Sequence, residues 1–93
     1  MKPGCIDVRF EMLNADANLL QTEGCVRFEI EVMGNTPILF DNTAPIWPSD
    51  GKVCFPAIGE RPYCRNFPIS YNTDGISSPD RRVRVTKYYI TPC

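Results

Sequence analysis

The chain contains no histidine. That removes Ser-His-Asp and Cys-His nucleophilic arrangements and the common histidine-bearing zinc sites. None of its cysteines forms a C-x-x-C pair, so the thioredoxin-type redox motif is missing too. There is no glycine-rich phosphate loop and no calcium-loop pattern. Nothing approaches the roughly 18 consecutive apolar residues of a membrane span. No Asn-x-Ser/Thr acceptor site occurs. No apolar stretch follows Met1-Lys2-Pro3-Gly4-Cys5, so a secreted form would have shed its leader. Amphipathic helical periodicity is also lacking, and nine prolines interrupt any long helical window.

What remains is short: 93 residues, 43% apolar and 23% charged, which fits one domain over residues 1–93. A core of that size gives limited stability alone, and small domains commonly add staples. The candidates are Cys5, Cys25, Cys54, Cys64 and Cys93, separated by 20, 29, 10 and 29 positions. Disulfides in an oxidising, extracellular setting are the expectation. Cys54 and Cys64, joined through a turn at Gly59 to Pro62, are expected to bond. Cys93 is expected to bond Cys5 or Cys25 and so hold the end of the chain. The fifth cysteine would be left over.

The strand signals are strong. Ile6, Val8, Phe10 and Met12 alternate with Asp7, Arg9 and Glu11. Val26, Phe28, Ile30 and Val32 alternate with Arg27, Glu29 and Glu31. Period two over seven residues is the pattern of a half-buried antiparallel strand. It predicts one core containing Val8, Phe10, Val26, Phe28, Ile30 and Val32. Both segments open on cysteine, which shares the parity of the polar face and is therefore expected at a strand end or away from the core.

Gly34-Asn35 predicts a two-residue hairpin into a third strand, Thr36 to Phe40. Pro37 removes a ladder donor, making that strand an edge or paired only beyond the proline. Asp41 to Gly51 reads as a loop, Lys52 to Phe55 as a fourth strand and Phe67 to Tyr71 as a fifth. Arg81 to Ile90 reads as a sixth, with a β-bulge near Thr86-Lys87 where the apolar parity switches. The fold class expected is all-β, a small antiparallel, disulfide-stapled sandwich or barrel of about six strands.

Residues 1–51 carry three basic and eight acidic side chains; residues 52–93 carry seven basic and three acidic. Pairing between the halves within one sheet accounts for this more simply than a dipolar surface that steers a charged partner. Glu29 and Glu31 alternate with core residues, as a solvated strand face does. No catalytic residue, cofactor or metal is expected, and the chain is read as non-enzymatic.

Three features could carry binding. Trp47, held with Ile46 between Pro45 and Pro48, is a preorganised anchor of the kind common at interaction hot spots; the alternative is that it folds back as a cap. Arg81, Arg82, Arg84 and Lys87, with Tyr88 and Tyr89 beside them, form a basic and aromatic run. With a net charge of −1, nucleic acid is an unlikely partner for it. A free sheet edge could accept a strand from a partner.

The overall type, a short β chain with a few cysteines including Cys93, resembles the small β-sandwich effectors secreted by plant-pathogenic fungi. It equally resembles single domains of adhesins and receptors. This resemblance of architecture carries no site residue over. It implies a secreted, effector- or toxin-like virulence protein acting through protein–protein interaction. The alternatives are an adhesive or structural module of a larger extracellular protein, and a small intracellular or viral protein with reduced cysteines.

Overall fold

The computed structural model describes residues 4–14, 18–55 and 62–92. Within them the chain forms eight β-strands and one short 3₁₀ turn: β1 Gly4–Leu13, β2 Leu19–Leu20, β3 Arg27–Val32, β4 Ile38–Phe40, β5 Ala44–Ile46, the turn Pro48–Asp50, β6 Lys52–Phe55, β7 Phe67–Tyr71 and β8 Val83–Pro92. They assemble into two antiparallel four-stranded sheets, ordered β1-β8-β3-β6 and β2-β7-β4-β5. No sheet closes into a barrel. All six expected strand regions are present. The two additional strands, β2 and β5, are too short to produce an alternation that sequence can reveal, and β5 contains Pro45.

The core lies between the sheets. The first sheet contributes Phe28, Ile30 and Val32 from β3, Val83 and Val85 from β8, and Leu13 from β1. The second contributes Leu20, Ile38, Ile46 and Ile69. Phe28 stacks on Phe55 with ring centroids 4.7 Å apart, Phe55 lies 4.6 Å from Phe40, and Phe40 lies 4.8 Å from Phe67. Tyr63 meets Phe28 edge-on at 5.0 Å. Such rings combine large apolar burial with favourable offset and edge geometry.

The chain crosses between sheets at Gly34-Asn35 rather than turning back there, so the hairpin expected at that dipeptide is not formed. β3 belongs to one sheet and β4 to the other. Gly34 has no positive φ; it is small because the Asp80 carbonyl lies against it. The Asn35 side chain accepts from the Asp80 N–H (2.7 Å) and donates to the Ser78 carbonyl (3.1 Å), tying the crossover to the segment before β8. The tight hairpin is instead at Asp41-Asn42, with φ of 56° and 57° and Thr43 N–H donating to Phe40 C=O at 3.1 Å. Short polar side chains tolerate that left-handed geometry best after glycine. β4 is internal, between β7 and β5, and its pairing starts at Ile38, past Pro37.

β8 has no bulge: its register with both β1 and β3 is unbroken. The parity switch has another cause. β3 pairs β8 only from Val83 to Tyr88, whereas β1 follows it to Pro92. Beyond Tyr88 the pair is a two-stranded ribbon, and the molecule is elongated, 53 × 22 × 20 Å. Val83 and Val85 face the other sheet, while Tyr88 and Ile90 point to the opposite face.

Cys25 is a buried free thiol just ahead of β3, near the strand end as one of the two expected placements had it, but inside the core and not away from it. It precedes β3, in an irregular segment held by Gly24 N–H to Tyr63 C=O and Tyr63 N–H to Cys25 C=O, both 2.8 Å. Burial pushes its thiol pKa up, with nearby Lys87 opposing. Cys54 and Cys64 are exposed free thiols, so the expected bond between them is not formed. Cys54 projects from β6 toward Glu29 on the outer face of its sheet, and Cys64 follows Tyr63, which packs into the core. Cys5 is disulfide-bonded. Cys93 lies outside the described residues, and Cys25, being free, is not its partner. No helix among the described residues is long and apolar enough to cross a membrane.

Candidate partner-binding surface

The expectation that Val8 and Phe10 join the core is overturned by the register. Arg9, Glu11 and Leu13 of β1 pair with Lys87, Val85 and Val83, which stand on the core side of β8. The even-numbered residues of β1 therefore face outward. Ile6 is 60% exposed, Val8 40%, Phe10 64% and Met12 51%, and Ile90, directly across from Ile6, is 55% exposed. Phe10 is the one phenylalanine outside the core cluster. A row of exposed large apolar side chains is a feature from which interaction surfaces are commonly built.

Polar groups border the stripe. Arg84 lies over the Phe10 ring at 5.3 Å and Arg27 over Tyr88 at 5.4 Å. Tyr88 donates to a Glu29 carboxylate oxygen. The Cys54 thiol donates to the other oxygen at 3.5 Å, and the Lys52 ammonium stands 4.0 Å away. The Tyr88 hydrogen bond, with smaller contributions from Cys54, Lys52 and Arg27, holds the Glu29 carboxyl below the usual range against the effect of burial. The same bond raises the Tyr88 phenol. Arginine and aromatic side chains around an apolar centre match the composition of protein-binding patches.

The other side of β1 is different. Arg9, Glu11, Lys87 and Tyr89 face Gln21, Glu23 and Asn66 across a cleft of about 450 Å³. Lys87 is nearly buried and its ammonium meets Glu11 at 2.6 Å. Arg9 covers the Tyr89 ring at 4.7 Å and bonds Asp7 at 3.0 Å. Both cations of the cleft, Arg9 and Lys87, are thus paired with a carboxylate.

The basic run is thus split. Arg84 stands on the outer face, Lys87 and Tyr89 on the inner, and Arg82 is bidentate to Asp80, whose carboxyl it holds below the usual range. Arg81 is half-buried ahead of the strand. Glu11–Lys87, Glu29–Lys52 and Asp41–Arg65 join the acidic and basic parts of the chain, the simpler of the two readings of the charge asymmetry.

Ile46 is 4% exposed and pairs with Ile38, so it belongs to the core and not to a binding loop. Trp47 is 49% exposed at the start of the 3₁₀ turn, where its N–H donates to the Asp50 carboxylate at 2.8 Å. Sequence reasoning missed Ile6, Val8, Phe10, Met12 and Ile90 as surface residues. The one hint in the sequence was the apolar Leu13 that ends the otherwise charged parity of β1.

No family model, curated protein or solved structure matches this chain.

Proposed function

We propose that this chain is a secreted, effector-like, non-enzymatic interaction protein that binds other polypeptide by strand addition at β1. The observation that carries the reading is the outward apolar stripe Ile6, Val8, Phe10, Met12 on an edge strand. Main-chain groups on the free side of such a strand supply affinity, and alternate side chains supply selectivity. The partner chemistry that fits is an extended segment with apolar residues at every second position and a small charged complement to Asp7, Arg9 and Glu11. The disulfide at Cys5 supports an oxidising location.

Selection of displayed random peptides against the folded chain tests this. Bound sequences should alternate apolar and polar residues, lack proline, and lose binding to Val8→Lys and Phe10→Lys variants whose circular dichroism is unchanged. Peptides that ignore both substitutions and depend on Trp47 would transfer the function to the Pro45–Pro48 loop.

A further inference from the structure

The two sheets have four edges, β1, β6, β2 and β5, and three of them are blunted. β2 has two residues, β5 three including Pro45, and β6 four beginning at Lys52. Short strands, proline and lysine are the ordinary means by which proteins prevent edge pairing. β1 is neither short nor interrupted by proline or lysine: it runs ten residues in unbroken register with β8 with large apolar side chains outward, and its inward charges Asp7, Arg9 and Glu11 are met by one another and by Lys87. An edge left open over that length in a chain that blunts its others is suited to pairing.

The charges on β1 indicate what pairs with it. Asp7, Arg9 and Glu11 share one face and alternate in sign. Two copies placed antiparallel about a two-fold axis perpendicular to the sheet keep their apolar stripes on the same face only if residues of equal parity oppose each other. An axis at Arg9 sets Arg9 against itself and Asp7 against Glu11 of the partner subunit, which repel. An axis at Asp7 or Glu11 sets a carboxylate against itself. An axis at Phe10 shortens the overlap and calls on Glu11, already bound to Lys87. An axis at Val8 sets Asp7 against Arg9 of the partner subunit, twice, and Ile6 against Phe10 of the partner subunit, twice, and gives every residue from Gly4 to Met12 a partner. Opposite charges and apolar pairs directly across a ladder are the favourable combinations. The Asp7–Arg9 bond within one chain is exposed, so it competes weakly with the intermolecular pair.

Resting on the reading of β1 as a strand acceptor, we propose that the strand it accepts is β1 of a second copy. The pairing is antiparallel about Val8 and joins two four-stranded sheets into one of eight strands. The two apolar stripes then lie side by side on one face and form a single composite surface, as a symmetric interface requires.

Analytical ultracentrifugation of the intact, non-reduced chain over a range of concentrations tests this. Intermolecular disulfides are excluded on a non-reducing gel. The wild type should be a dimer at micromolar concentration. Val8→Lys should be a monomer over the same range, as should Arg9→Asp, which opposes two carboxylates. Combining Asp7→Arg with Arg9→Asp should restore the dimer, because the pair re-forms with its signs exchanged; an axis at Phe10 would give no rescue. On the wild type alone, amide exchange in residues 4–12 should slow as the dimer forms. A chain that stays monomeric overturns self-pairing; strand addition survives if alternating peptides still bind at β1 and falls if they do not. A dimer indifferent to the β1 variants, with exchange in residues 4–12 unchanged, overturns both.

Discussion

Phe28 and Phe10 occupy equivalent positions in sequence, each two positions after a valine in an alternating run, yet one is fully buried and the other is 64% exposed. Phe28 is packed by Phe55, Tyr63, Phe40 and Phe67. Phe28→Ala should therefore cost about 3–5 kcal/mol in denaturant unfolding. A loss below about 1 kcal/mol would contradict its place at the centre of the core. At Phe10, the same substitution in dilute chain should cost under about 1 kcal/mol. Alternation was legible for both residues, but which parity faces inward was not. That is decided by the strands on either side, and β1 meets β8, whose inward side is apolar at Val83 and Val85 and charged at Lys87. Charged Arg9 and Glu11 are accepted on the inner side because Tyr89 and Lys87 are there to receive them.

Among the elements, the long strands were legible because period two persists over seven residues. The turns were less so. Gly34-Asn35 has the composition of a hairpin, but its glycine serves close approach, not a left-handed backbone. Gly34→Ala should lower stability by about 1–3 kcal/mol, since the new methyl would overlap the Asp80 carbonyl oxygen, a backbone atom fixed by Asn35. An unchanged denaturation midpoint would show that the segment before β8 yields freely. The bulge inferred in β8 came from treating every position of that strand as part of one core. The outer half of β8 has left the sandwich, so its burial pattern follows a different neighbour with no backbone irregularity.

For the whole molecule, an all-β two-sheet architecture followed from strand number, turn frequency and the lack of helical periodicity. The cysteine pairing did not follow, because strand parity and sheet membership must be known first. Cys54 faces outward from the first sheet and Cys25 lies between the two. If the chain is made in an oxidising compartment, alkylation of native, unreduced protein should label Cys54 and Cys64, and unfolding without reductant should add Cys25 while Cys5 stays blocked. Five labelled thiols, read by intact mass, would instead place the protein in a reducing compartment and overturn the secreted reading.

The order of the first sheet also has a temporal side. β8, which follows the seven other described strands in the chain, occupies the slot between β1 and β3. A nascent chain that has not yet produced it lacks the strand that flanks Ile6–Met12 in the folded sheet. Bringing β1 and β8 together is a contact of long sequence separation, which places folding in the slow, millisecond-to-second regime typical of such topologies. During that interval the ribosome-bound chain would depend on dilution or a chaperone to keep the same stripe from meeting its neighbours too soon.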